Sequence, residues 1–231
     1  MLFNSYKFID LTHLITPNIP NWDNTPGFST ENMHDYAQGF RTQKIHMHAG
    51  IGTHIDAPSH FAPGGWDVDD IPIQKLIVPA CMINVSEKAD ANYLISSSDI
   101  EEYEKQHGRI PENCFVIGYT GWSRFWPDIE RYRNADSKGQ IHFPSFSEDS
   151  AKLLLEREIA GLGIDTLSPD CDLAFPVHKL LLGNGKYIVE NMANCHLMPP
   201  QGAYVILLPL NMDTTESPIR AVGVVQETKR T

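Results

Sequence analysis

Leu76-Ile77-Val78-Pro79-Ala80-Cys81-Met82-Ile83-Asn84-Val85 is apolar almost throughout instead of alternating, which is the pattern of a strand covered on both faces inside a sheet. Pro79 argues against a regular ladder at its own position, because proline has no N–H to donate. Working outward, Arg41-Thr42-Gln43-Lys44-Ile45-His46-Met47-His48 alternates with period 2, as a half-exposed strand does. Phe115 to Tyr119, Gly161 to Asp165, Tyr187 to Glu190, Tyr204 to Leu210 and Ala221 to Val225 are further strand candidates. Two helices are expected. One starts at the capping box Ser98-Asp99-Ile100-Glu101 and runs through His107 to Gly108; the other starts at Ser145-Phe146-Ser147-Glu148 and runs through Leu153, Leu154, Leu155 and Ile159 to Gly161. The result is a mixed α/β fold rich in strands, with the strand order left open.

Bulk properties set the class. A chain of 231 residues, 42% hydrophobic, buries a substantial core. Without repeats, low-complexity tracts or a polar linker, it reads as one domain over residues 1–231, with 16 Gly and 16 Pro acting as turn punctuation. No apolar run reaches the length of a membrane span, and Met1-Leu2-Phe3-Asn4-Ser5-Tyr6-Lys7 lacks the features of a secretory signal; a soluble, cytoplasmic protein is expected. Cys81, Cys114, Cys171 and Cys195 are too scattered for a CxxC motif and read as reduced packing residues. A formal charge of −11 opposes a nucleic-acid surface and leaves a small molecule as the expected partner.

Chemistry concentrates in Gly52-Thr53-His54-Ile55-Asp56-Ala57-Pro58-Ser59-His60. On extended backbone His54 and Asp56 leave from the same face and can converge on one cation. Pro58 turns the chain and can return His60 to the same pocket, while Gly50 and Gly52 fit a bend or a close backbone approach. Spacing alone is equally compatible with a polar surface loop.

The segment is similar to the HxGTHxDxPxH motif of the bacterial kynurenine formamidase and cyclase family of metal-dependent hydrolases. Other segments resemble that family in order along most of the chain: Ile9-Asp10-Leu11-Thr12-His13 with Pro20-Asn21-Trp22, Gly163-Ile164-Asp165-Thr166-Leu167-Ser168-Pro169-Asp170, Ile188-Val189-Glu190-Asn191, Leu208-Pro209-Leu210, and Ser217-Pro218-Ile219-Arg220-Ala221. The resemblance implies a swivelling β/β/α fold with a mixed sheet and few helices, and a homodimer or homotetramer. It also implies a divalent metal, zinc foremost, one or two ions per subunit, held by His54, Asp56, His178 and Glu190. His60 would be the catalytic proton carrier, a role imidazoles suit, and Trp22 would line the substrate pocket.

One departure bears on the metal. Where the motif has its first histidine, this chain has Gly50. The first cation then keeps one imidazole and two carboxylates, a donor set that favours a single ion or manganese over zinc. His48 is the nearest substitute, but it lies roughly 20 Å from His54 along an extended strand and reaches the metal only if Gly50-Ile51-Gly52 folds sharply.

The leading activity implied is an arylformamidase-like amidohydrolase acting on an N-formylkynurenine type of substrate. The alternative is a single-manganese hydrolase of a cyclic amide or ester, similar to isatin hydrolase. A third reading, a small-molecule-binding module without catalysis, is opposed by the joint presence of His54, Asp56, His60, His178 and Glu190, which are costly to bury without use. Phe61 and Trp66 read as core aromatics, Asp67, Asp69 and Asp70 as a solvated turn, Cys171 as packing, and Cys195-His196 as a strand pair pointing to opposite faces.

Overall fold

The computed structural model describes residues 5–227; Met1 to Asn4 of the N-terminal stretch read above lie outside the described residues. In chain order the strands are β1 (Tyr6–Asp10), β2 (Phe28–His34), β3 (Thr42–Met47), β4 (His54–Asp56), β5 (Ile77–Asn84), β6 (Leu94–Ile95), β7 (Phe115–Tyr119), β8 (Ser145–Phe146), β9 (Gly161–Ile164), β10 (Tyr187–Glu190), β11 (Ala203–Ile206), β12 (Glu216–Pro218) and β13 (Val222–Gln226). The α-helices are α1 (Ile73–Leu76), α2 (Ser97–His107), α3 (Ile129–Arg133), α4 (Glu148–Glu156) and α5 (Pro176–Gly183).

Nine strands form one mixed sheet in the order β1-β13-β11-β5-β7-β9-β10-β4-β12. Its centre, β5-β7-β9-β10, is parallel, and all outer pairings are antiparallel. Parallel neighbours need crossovers; α2, α4 and α5 lie in those crossovers and contact one another as α2·α4 and α4·α5. The pleat divides the apolar residues accordingly. Cys81, Ile83, Val116, Leu162, Ile164 and Ile188 pack with Ile100, Leu154, Val177 and Leu181 of the helices. Ala80, Met82, Phe115, Ile117 and Val189 face the other way into a second core that also holds Ile9 of β1 and Ile55 of β4. These last two come from opposite ends of the sheet, so the sheet is curled around that core.

Pro79 is accommodated because β5 pairs with β7 only from Ala80 onward, whereas Pro79 has a single neighbour, Tyr204 of β11. Both expected helices exist with shifted starts. Ser96, not Ser98, caps α2, accepting from the Asp99 N–H while Asp99 closes the box. Ser145 and Phe146 form β8, and Ser147 caps α4, which ends at Glu156 before the strand at Gly161. Strand β3 is exposed along its whole length instead of half-exposed, because it pairs only with β2 in a two-stranded ribbon. Cys195 and His196 lie in a 3-10 turn, not on a strand; Cys195 is buried and its thiol contacts the Ala193 carbonyl at 3.7 Å. Cys81, Cys114, Cys171 and Cys195 are free thiols. No helix among the described residues is long and apolar enough to cross a membrane.

Candidate metal centre

Strand β4 is three residues long, and its pleat sends Ile55 into the curled core and His54 and Asp56 to the opposite face. Its two neighbours add carboxylates in register: Glu190 of β10 stands opposite His54, and Glu216 of β12 stands opposite Asp56. Directly opposed residues on antiparallel strands share a face. His178 comes from the other side, on the first turn of α5.

The distances describe two adjoining donor sets. His54 Nε2 lies 3.3 Å from Asp56 Oδ1 and 3.4 Å from Glu190 Oε2. His178 Nε2 lies 3.6 Å from Asp56 Oδ2 and 3.3 Å from Glu190 Oε1. Each carboxylate thus offers one oxygen to each imidazole. Donors arranged tetrahedrally at zinc–ligand length stand roughly 3.3 Å apart, so the separations fit cations held between these groups. The side chains lie within coordinating reach as Asp56, His178 and Glu190, and as His54, Asp56 and Glu216.

Further observations match a cation better than an internal ion pair. Both oxygens of Asp56, 1% exposed, lack a hydrogen-bond partner, although leaving buried carboxylates unsatisfied costs several kcal/mol. Both histidines have the outer nitrogen occupied: His54 Nδ1 is 2.9 Å from the Gly52 carbonyl, and His178 Nδ1 is 2.8 Å from Asp170 Oδ2. Donation through Nδ1 leaves Nε2 with its lone pair toward the centre, the usual arrangement of ligating histidines. Asp170 also accepts from the backbone N–H groups of Val177 and His178 and so caps α5.

Electrostatics point the same way. Burial pulls the His54 imidazole down, but the Asp56 and Glu190 carboxylates outweigh it and push the group up to about 10. Burial likewise opposes the charged form of His178, and Asp170, Asp56 and Glu190 raise it well above its ordinary value. Glu190 is raised by burial and by Asp56 beside it. The carboxylate pair concentrates negative potential that protons on the imidazoles offset only in part, and divalent cations neutralise it directly.

The residues from Ile9 to Cys171 match the sequence profile of the family described as "Putative cyclase". The chain belongs to the cyclase family. This cyclase-family chain is 29% identical to the isatin hydrolase of Roseibium aggregatum over 97% of its own length and 94% of the relative's. It is 31% identical to the kynurenine formamidase of Bacillus mycoides over 94% of this chain and 96% of that one. Among solved structures, an isatin hydrolase bound to the product analogue thioisatinate superposes with a TM-score of 0.91 at 29% identity, covering 98% of this chain and 95% of that one. The cyclase-family fold is thereby the mixed α/β architecture with the curled nine-stranded sheet described above.

A cavity of about 550 Å³ opens over the donor cluster. Its walls include Trp22, Phe61 and Phe175, and His60 stands at its side, 6.0 Å from His178 between ring centres. His60 reaches this position because Pro58–His60 forms a 3-10 turn, tied from behind by the 2.5 Å hydrogen bond from the Ser59 hydroxyl to Asp67. Phe175 takes up a left-handed conformation at φ 50°, at a cost of about 1–2 kcal/mol for a bulky residue. Its ring lies 5.6 Å from Trp22 and 5.4 Å from Phe61.

Phe61, expected to pack in the core, does pack against the helix-side core and also lines the cavity, 4.7 Å from the His178 ring. Trp66 is neither core nor wall: it is exposed, with Lys75 over its ring. Glu216, Phe175 and Asp170 were not singled out as site residues. Only Asp170 had a signal, as the end of the Gly163–Asp170 segment. His48 lines the cavity rim but is exposed and outside both donor sets among the described residues.

Proposed function

We propose that this chain is a metal-dependent hydrolase that opens a neutral cyclic aryl amide, of the kind isatin represents, by cleaving its C–N bond. The observation that carries the reading is the chemistry of the cavity. Three aromatic rings stand over the His/Asp/Glu cluster, and among the described lining residues there is no Lys or Arg, whereas Asp23, Asp56, Glu190 and Glu216 are all present. A flat uncharged bicycle suits such walls. An amino-acid formamide brings an α-carboxylate that this lining offers no cationic side chain to receive. The likeness over nearly the full chain to an isatin hydrolase supports the same choice.

In this reading His54, Asp56, His178 and Glu190 hold the cation or cations. When bound, the metal supplies Lewis acidity, polarising the amide carbonyl and making water a better nucleophile. Water adds to the carbonyl carbon, the C–N bond breaks, and the nitrogen departs as an arylamine after gaining a proton, leaving a carboxylate. His60 holds that proton between the two events. Trp22, Phe61 and Phe175 orient the ring and exclude bulk water.

A second reading, hydrolysis of an aryl formamide of the N-formylkynurenine type, is favoured by the 31% identity to a kynurenine formamidase. Parallel measurement of isatin ring opening and of formate release from N-formylkynurenine, on enzyme loaded with manganese or zinc, separates the two. The expected result is a kcat/KM for ring opening at least tenfold higher; a preference for the formamide sinks the proposal.

A further inference from the structure

Gly50 sits where a metal-binding side chain is expected, and the structure shows what fills the space. A Cβ built on Gly50 falls on Glu216 Oε1, with Glu216 Cδ at 3.2 Å and His54 Nε2 at 3.3 Å. The backbone does not require glycine here, since Gly50 is absent from the glycines at positive φ, unlike Gly52 at +66°. The space a side chain at residue 50 would enter is instead taken by the Glu216 carboxylate, which projects into it from β12 and would have to swing out to make room. We propose that Glu216 is the replacement ligand: with His54 and Asp56 it completes the first cation site, supplying from the far end of the chain the donor that position 50 does not carry.

Three independent observations support this. The register places Glu216 opposite Asp56 on the ligand-bearing face. A ligand atom from each of His54, Asp56 and Glu216 falls within 4.8 Å of the others. Asp56, 1% exposed, has its Oδ1, which lacks a hydrogen-bond partner, 3.3 Å from His54 Nε2 in the same donor set. The other Glu216 oxygen, Oε2, lies 3.5 Å from His60 Nδ1, too long for a strong hydrogen bond. Exchanging a second imidazole for a carboxylate makes the first site harder and more anionic, so it should prefer manganese or magnesium over zinc more than a site with two histidines would.

The inference rests on the metal-dependent reading above but is tested without substrate. Manganese and zinc are titrated calorimetrically into metal-stripped wild type, Glu216→Gln, Glu216→Asp, Gly50→His and the double variant Gly50→His/Glu216→Ala, with elemental analysis of bound metal after dialysis. Folding of each is checked by circular dichroism. Glu216→Gln should weaken one site by at least about 100-fold, beyond what loss of a supporting group does, while Glu216→Asp retains part of the affinity. Gly50→His alone should lose affinity through the collision, and adding Glu216→Ala should restore it with the preference moved toward zinc. Unchanged affinity and stoichiometry in folded Glu216→Gln overturns the proposal, and a shifted pH profile with full metal content would then make Glu216 a positioning residue for His60. Normal metal binding together with no ring opening would instead fail the substrate reading and leave this one standing.

Discussion

At the α2–α4 corner, Arg157 holds Glu104 through two N–H donors at 2.7 and 2.9 Å, and Asp99 accepts from the Ser96 N–H, the Ser96 and Tyr93 hydroxyls and Lys88. At the β10-β4-β12 edge, Asp56 is more deeply buried than any of these groups and Glu190 is about as buried as Asp99, yet their imidazole neighbours stand at 3.3 to 3.6 Å and Asp56 has no hydrogen bond. The first corner satisfies its charges within the chain and contributes to folding. The second leaves them for something the chain does not supply. Closely packed proteins tolerate such an arrangement where function requires it.

The comparison breaks most sharply at Asp56. Asp56→Asn should lower kcat for ring opening at least about 1,000-fold, the loss of several kcal/mol of electrostatic stabilisation. The metal-free protein should lose no more than about 3 kcal/mol, since the carboxylate's ion pairs with His54 and His178 are offset in part by the desolvation its burial costs. Steady-state kinetics and a urea melt with chelator present measure the two numbers, and a large loss of metal-free stability would make the edge a structural ion cluster.

Chelation itself is the next largest effect. At metal concentrations of about 100 Kd the bound ion adds about 2.7 kcal/mol, so removing it should lower Tm by roughly 5–10 °C. Glu104→Gln at the paired corner should cost about 2 kcal/mol by leaving Arg157, 12% exposed, without its carboxylate. Its kcat should match wild type. A denaturant midpoint and one activity measurement decide both halves.

The smallest effect is at His13, stacked on Trp126 at 4.0 Å. Burial pulls its imidazole from 6.5 down to about 4, so as pH falls the unfolded chain takes up the proton first. Stability is therefore full above about 6.5 and declines toward 4. His13→Phe should flatten that limb, by about 1 kcal/mol at pH 5.5, as read from melts across the range.

The same contrast explains what could be read in the chain. His54 and Asp56 were legible because a period of two brings neighbours in sequence onto one face, and β5 as an interior strand because a continuous apolar run is itself the signal, though it does not say which strands lie beside it or in which direction. Strand β12 is the three-residue segment Glu216-Ser217-Pro218, with no apolar alternation to announce it. Its pairing to β4 lies 160 residues away in sequence, so Glu216 could not be associated with Asp56. Helix α5 was invisible for a local reason: Phe175 enters it from the left-handed region without a side-chain cap, and the capping carboxylate, Asp170, comes from outside the usual cap positions.

Asp170 joins two things that other sites keep separate. One oxygen, Oδ2, receives both the His178 backbone N–H at 2.9 Å and its ring nitrogen at 2.8 Å. The register of a helix and the aim of a donor atom are thus fixed to the same point, so error does not accumulate between them. Removing the carboxylate at position 170 should therefore free the start of α5 and the aim of the His178 ring together.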